Sequence, residues 1–456
     1  MSRYATTDPR TGEIVARYDA VSDAEVDAAV GRADEAYRDW RRTEVSERAA
    51  VLQRVADLYR ERKQELAELM TLEMGKPVTQ ALGEVDLAAR IYEYYATTAR
   101  GFLEEEVLDI SGPGRAVVRT EAIGALLGIM PWNFPYYQVA RFVAPNLLLG
   151  NTILLKHARN CPQEALVMEE ILLAAGAPVG VYQNLFATSG QLGRVIAHPA
   201  IRGVSLTGSE KAGEAVGRQA GENLKKCVLE LGGSDPLIVL GDADVTATAS
   251  AAATGRFANA GQACTSSKRI LVEDPVWDEF LAAFLDKARQ WTLGDPADPA
   301  TRMGPMSSAE ARSELAEQVA DAVAKGATVH LGGEVPEGEG AYYPATVLTD
   351  VTPDMRAYRE ELFGPVAVVH RVASADEAVE IANDSPFGLG AAVFGGDPAR
   401  VQDVAERLES GMVGINTTIK SAPDMPFGGV KTSGVGRELG RFGLDEFSNK
   451  KLVHRV

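Results

Sequence analysis

A chain of 456 residues is too long for one simple core, so two or three domains are expected. Its hydrophobic fraction of 46% and charged fraction of 24% are ordinary for a globular protein. A net charge of −18 argues against a nucleic-acid partner or an anionic membrane surface.

The opening stretch, Met1-Ser2-Arg3-Tyr4-Ala5, lacks the apolar segment of a signal peptide, so none is expected. The nearest approach to a membrane span is Ala122 to Met130, interrupted by Gly124 and Gly128 and far short of the ~20 residues required. Three cysteines, Cys161, Cys227 and Cys264, are an odd number and fit a reducing cytoplasm better than a disulfide framework. The histidines show no metal-ligand spacing, and no metal is expected.

Residues 22 to 106 read as helices. Ser22-Asp23-Ala24-Glu25 is a capping box, followed by Val26, Ala29, Val30 and Ala33 at helical spacing. Further amphipathic runs cover Ser46 to Met70 and Val78 to Glu104, separated by Gly75-Lys76-Pro77. Arg115 to Thr120 and Ala125 to Met130 read as a pair of strands joined at Gly124.

From 151 to 240 strands and helices alternate. The strands are Thr152 to Lys156, Val181 to Phe186, Gly203 to Thr207, Cys227 to Leu231 and Leu237 to Leu240; helices start at Pro162, Gly190 and Glu210. This alternation predicts βαβ units and a parallel sheet, with ligands at the carboxyl ends of its strands. Thr207-Gly208-Ser209-Glu210 opens a helix there, and free amides at a helix start suit a phosphate. A second α/β region follows to about 425, with strands near Arg269 to Val272, Val366 to His370, Ala391 to Phe394 and Val413 to Asn416. Lys450 to Val456 reads as a terminal strand, and exposed strand edges invite pairing with a second chain.

The chemistry-bearing stretch is Gly261-Gln262-Ala263-Cys264-Thr265-Ser266-Ser267-Lys268-Arg269, after a helix-like run from Val245 to Asn259. A thiol among small residues is accessible, and Lys268 and Arg269 are near enough in sequence to favour the thiolate. By itself the pattern fits a packed core cysteine equally well. Four other stretches change that: Pro131-Trp132-Asn133-Phe134-Pro135, Leu229-Glu230-Leu231-Gly232-Gly233, Glu360-Glu361-Leu362-Phe363-Gly364-Pro365, and Pro426-Phe427-Gly428-Gly429-Val430-Lys431.

In this order and spacing, the five stretches resemble the aldehyde dehydrogenase superfamily, nearly end to end. The resemblance implies an α/β fold with a Rossmann-type cofactor domain (1–111 and 125–231), an α/β catalytic domain (232–430) and a small β oligomerisation element (112–124 and 431–456). It implies NAD(P)-dependent oxidation of an aldehyde to an acid by a soluble cytoplasmic homodimer or homotetramer. Cys264 is then the nucleophile, Asn133 with the Cys264 amide the donor to the oxyanion, and Glu230 the base that activates water. A glutamate at 230 favours a free acid over transfer to coenzyme A.

The same resemblance assigns Trp132, Gly208 and Ser209 to the cofactor phosphates, Lys156 to the adenosine ribose, and Glu361 and Phe363 to the nicotinamide end. Where NAD-selective relatives often carry a glutamate, this chain has Arg159, so NADP is accepted beside NAD. Arg141, in an apolar stretch, needs an anion. In relatives acting on succinate semialdehyde an arginine at this place binds the distal carboxylate, and Lys420 and Ser421 are candidates for a second anchor. The alternatives are an arginine paired within the protein, another aliphatic or carboxylated aldehyde as substrate, an esterase-type side activity of the thiol, and a non-catalytic, crystallin-like relative.

Overall fold

The computed structural model describes residues 4–456; the first three residues of the expected 1–111 segment lie outside the described residues. Two large sheets organise the chain. The first has six strands in the order Gly434–Val435, Lys226–Glu230, Ile201–Thr207, Ala125–Ile129, Thr152–Lys156, Tyr182–Asn184. All pair in parallel except Gly434–Val435, which runs antiparallel to Lys226–Glu230. Counted along the chain, the five parallel strands lie in the order 5-4-1-2-3, so the strand order reverses between Ala125–Ile129 and Ile201–Thr207. Such a switch point opens a crevice at the carboxyl ends of the strands.

The sheet is apolar on both faces because helices cover both. Leu126, Ile153 and Leu155 pack against the helices Val45–Glu61, Val78–Leu103, Pro135–Leu149 and Pro162–Ala174. The residues between them, Leu127 and Leu154, with Val204, face Asp23–Trp40, Ser189–Ala197 and Glu210–Glu222. Each such fully buried aliphatic side chain contributes about 1.5–3 kcal/mol.

The second sheet has seven strands: Thr328–Leu331, Thr346–Thr349, Val366–Val372, Ser267–Glu273, Asp235–Val239, Gly390–Phe394 and Met412–Ile415. Only Thr328–Leu331 is antiparallel to its neighbour. The chain passes from Glu230, at the carboxyl end of a strand in the first sheet, to Asp235, at the amino end of one in the second. Four residues, Leu231 to Ser234, therefore join the ligand edge of the first sheet to the amino-terminal edge of the second.

The Ser22 capping box forms as its spacing predicts. The expected 46–70 helix is two helices, Val45–Glu61 and Lys63–Met74, broken at Arg62. The expected strand pair at 115–130 does not form. Arg115–Ala122 joins Ser448–Arg455 and Glu106–Leu108 in a separate three-stranded sheet, whereas Ala125–Ile129 enters the first sheet. Asn151 Oδ1 accepts the amides of Ile123 and Gly124 at 2.8 and 3.1 Å, turning the chain out of one sheet and into the other. The small sheet thus extends back to Glu106. The 431–456 segment is not all part of it: Gly434–Val435 belongs to the first sheet, and Gly440–Glu446 packs on Pro135–Leu149. Most of Gly332 to Gly340 is exposed loop.

Candidate active site

Cys264 lies in the turn before Ser267–Glu273, at the amino-terminal edge of the second sheet, and remains partly exposed. The backbone ahead of it is held in an unusual shape. Asn259, Ala260 and Gly261 all take positive φ, at 53°, 52° and 70°. For non-glycine residues this conformation costs energy and persists only where surroundings enforce it. Here Gln80 Oε1 accepts the Asn259 amide at 2.8 Å, Gln262 Nε2 donates to Asn259 O at 3.1 Å, and Arg256 Nη1 donates to Gly261 O at 3.2 Å.

Asn133 meets this loop directly. It follows Ala125–Ile129 in the first sheet and is 4% exposed. Its Nδ2 donates to Gln262 O at 3.0 Å, two residues before Cys264, and Gln138 Nε2 donates to its Oδ1 at 3.1 Å. The amide orientation is thereby fixed, and Nδ2 keeps a second hydrogen.

Glu230 ends its strand 2% exposed, with neither carboxylate oxygen hydrogen-bonded among the described residues. Burial pushes its carboxyl well above the ordinary range; Arg141 opposes that shift and Glu438 adds to it. The glycines of its neighbourhood make room for it. A Cβ on Gly428 would lie 2.7 Å from Glu230 Oε1, and one on Gly233 would lie 2.5 Å from the Cys264 carbonyl oxygen. The Leu-Glu-Leu-Gly-Gly stretch is therefore packed directly on the cysteine loop.

The thiol is not the thiolate that its basic neighbours in sequence suggest. Burial pushes Cys264 up to about 12, against the opposing pull of Arg141 and Lys268. Arg269 plays no part in this. Successive strand residues point to opposite faces, so Lys268 turns to the cysteine while Arg269 donates to the carbonyls of Ser234, Ile381 and Ala382. Lys268 Nζ donates to the carbonyls of Ala263 and Cys264, both at 2.9 Å, and pairs with Glu361 at 2.9 Å. Glu361 in turn accepts the Gly233 amide at 3.1 Å.

The remaining residues lie along the edge of the first sheet. Trp132 and Phe363 meet edge to face, centroids 5.7 Å apart. Gly208 donates its amide to Glu230 O at 3.0 Å, and exposed Ser209 caps Glu210–Glu222, its Oγ accepting the Ala212 amide at 3.4 Å. Lys156 ends Thr152–Lys156 mostly buried; burial first, and Arg159 next, draw its ammonium down to about 8. Among the described residues it forms no ion pair, its nearest recorded partner being the Tyr4 ring at 5.8 Å. Arg159 is exposed. A buried cation without an anion, beside a capped helix start and an exposed arginine, fits a phosphorylated ribose.

Arg141 has an anion already. Its Nε pairs with Glu438, Nη1 donates to Tyr137 Oη at 3.2 Å and Nη2 to Thr207 Oγ1 at 3.3 Å. Its guanidinium lies over Phe427, 4.3 Å from the centroid. Tyr137 Oη also donates to Ser421 Oγ at 2.7 Å, so Arg141, Tyr137 and Ser421 form one polar chain; Lys420 is exposed. Glu438 carries no local signal in the sequence, because its partner is remote. Lys76 and Glu84, a buried ion pair behind Asn133, are equally silent there.

These features have counterparts in known proteins. The model of the aldehyde dehydrogenase family matches residues 1–453. The succinate-semialdehyde dehydrogenase (NADP+) of Deinococcus radiodurans is 55% identical over 450 residues, covering 99% of this chain and 94% of that one. A second enzyme of that name from Mycobacterium ulcerans is 45% identical over 452 residues, 98% of this chain and 99% of its own. The crystal structure of succinic semialdehyde dehydrogenase from Streptococcus pyogenes in complex with NADP+ superposes with a TM-score of 0.97 at 41% identity, covering 99% of both chains. Matched along nearly its whole length in both sequence and fold, the chain belongs to the aldehyde dehydrogenase family.

Proposed function

We propose that this enzyme oxidises succinate semialdehyde to succinate with NADP+, and accepts NAD+. The observation that carries the reading is the contact of three stretches at one seam: the Asn133 amide bonded to Gln262, the Cys264 turn, and the Glu230–Gly233 segment packed on the Cys264 carbonyl. Named relatives with 55% and 45% identity over nearly all of the chain share that activity.

In this reading the Cys264 sulfur attacks the aldehyde carbon, and the carbonyl electron pair moves onto oxygen. The free Asn133 Nδ2 hydrogen and the Cys264 amide stabilise that oxyanion. Because the resting thiol is protonated, attack requires a proton acceptor, and the unpartnered Glu230 carboxylate is the nearest suited group. When bound, the nicotinamide accepts the hydride, leaving an acyl thioester on Cys264. Glu230 then takes a proton from water, which attacks the thioester and releases the acid and the thiol.

Lys156, Arg159, Gly208, Ser209 and Trp132 hold the adenosine and phosphate end of the cofactor; Glu361 and Phe363 flank the nicotinamide end. Arg141 supports the distal carboxylate through its second Nη hydrogens, together with Tyr137 and Ser421. The 1–111 and 125–231 segments carry the cofactor and 232–430 the nucleophile. The 112–124 stretch and the terminal strand of 431–456, with exposed Leu452, pair with a second copy to give a homodimer or homotetramer. Among the described residues no helix is long and apolar enough to cross a membrane. The three unbridged cysteines suit a cytoplasmic setting.

The test is steady-state absorbance at 340 nm with succinate semialdehyde and hexanal, each with NADP+ and NAD+. A higher kcat/KM for succinate semialdehyde with NADP+ supports the assignment. Preference for hexanal sinks the substrate, and no cofactor reduction with either aldehyde sinks the reaction.

A further inference from the structure

The oxyanion donor Asn133 is held from behind by an ion pair that touches neither substrate nor cofactor in the reading above. Lys76 follows the helix Lys63–Met74 and is 1% exposed; Glu84 lies on Val78–Leu103 and is 4% exposed. Their side chains pair in the protein interior. Lys76 Nζ also donates to the main-chain oxygen of Asn133 at 2.8 Å and lies 3.8 Å from the centroid of the Phe134 ring. Asn259 Nδ2, from the strained turn before Cys264, donates to the same Asn133 oxygen at 3.0 Å.

Glu84 works on the next residues of the same segment. Its Oε1 accepts the amides of Tyr136 and Tyr137 at 3.1 and 3.2 Å. Those amides belong to the first turn of Pro135–Leu149, where no intrahelical acceptor exists. The helix lacks a capping side chain of its own, and Glu84 supplies the acceptor from another helix. Tyr137 and Arg141, of the polar chain to Ser421, sit in the turns that follow.

A buried ion pair is a poor source of stability, since desolvation offsets its attraction and apolar residues of equal size commonly do as well. Its two ends here reach the one main-chain oxygen and the two amides that flank Phe134. We infer that Lys76 and Glu84 are positioning residues that fix the Asn133 amide for the oxyanion, Lys76 by holding the Asn133 carbonyl and Glu84 by anchoring the start of the next helix. The inference rests on Asn133 serving as oxyanion donor. Neither residue contacts reacting atoms, so the pair acts on turnover through Asn133 and leaves cofactor binding alone.

The decisive experiment is a mutant cycle. Lys76→Met with Glu84→Gln removes both charges together, keeps side-chain volume, leaves no lone buried ion, and retains an acceptor for the Tyr136 and Tyr137 amides. In the wild-type background this double variant should lower kcat by roughly 10–100-fold, with KM for NADP+ within about twofold. Added to Asn133→Ala, it should cost nothing further, because residues that act through one another are non-additive. Glu84→Gln alone, measured in the same cycle, serves if the double variant does not fold. A folded variant with kcat within about twofold of wild type overturns the inference, as does a loss that multiplies with that of Asn133→Ala. If Asn133→Ala itself leaves kcat unchanged, the oxyanion assignment of Asn133 fails, and this inference falls with it.

Discussion

Arg141 and Glu438 face each other as a buried ion pair, 1% and 4% exposed, with Tyr137 and Phe427 packed on the guanidinium. The pair separates two roles that a single substitution would confuse. Replacing Arg141 by Met removes a donor to the substrate carboxylate and also strands a buried carboxylate. Arg141→Met is expected to raise KM for succinate semialdehyde by roughly 10–100-fold and to destabilise the fold by about 3–5 kcal/mol. Arg141→Met with Glu438→Gln should recover most of the stability and none of the KM. Thermal unfolding beside kinetics on succinate semialdehyde and hexanal reads both. Recovery of KM in the double variant would remove Arg141 from substrate recognition.

Cys264 is expected to react as a thiol in the cofactor-free protein. Its ionisation lies near 12 because burial outweighs the attraction of Arg141 and Lys268. The thiolate is the reactive form, so its fraction grows ~tenfold per pH unit below that value. Alkylation by iodoacetamide, followed at the Cys264 peptide by mass spectrometry, should rise steadily from pH 7 to 10. A plateau beginning near pH 8 would show a stabilised thiolate and contradict the proposal that attack needs a proton acceptor.

What the sequence makes legible here follows from how local each signal is. The alternation from 151 to 240 predicts the parallel sheet, because apolar strands separated by helical runs have few other ways to bury themselves. Asn133, Glu230 and Cys264 stand in short stretches of unusual composition, and the structure brings those stretches into contact. Glu438, Lys76 and Glu84 are invisible to such reading, since each is defined by a partner on another element. Arg269 shows the converse error. Adjacency in sequence to Lys268 suggests a shared role, but strand geometry sends the two side chains to opposite faces. The strands at 115–122 and 125–129 look like a pair until the Asn151 side chain is seen to divert the chain between them.

Cofactor choice turns on Arg159. It is exposed, beyond the strand that ends in Lys156, and its charge already depresses the Lys156 ammonium. An arginine there attracts a 2′-phosphate, whereas a glutamate repels it and is left able to accept a ribose hydroxyl. Arg159→Glu should raise KM for NADP+ by roughly 10–100-fold while leaving KM for NAD+ within a few-fold. The measurement is initial rate against each cofactor at saturating aldehyde. Equal changes for both cofactors would place Arg159 outside the phosphate site.

Glu230 is expected to govern the second half of the reaction more than the first. Burial raises its carboxyl well above the ordinary range, Glu438 raises it further, and Arg141 holds it partly down. A base works only when deprotonated, so thioester hydrolysis should weaken as pH falls through that raised value, well above the range of an exposed glutamate. Glu230→Gln keeps the shape of the side chain but cannot take the proton of the attacking water. Rapid mixing of this variant with aldehyde and cofactor should give a stoichiometric burst of absorbance at 340 nm, followed by turnover slowed by ~10²–10⁴-fold. The acyl group should then be recoverable on Cys264 by mass spectrometry after acid quench. If the variant loses the burst and keeps its ordinary pH profile, Glu230 activates the thiol alone, and another group must activate the water. If turnover is unchanged, Glu230 is a buried structural acid and the proposed division of labour at this site is wrong.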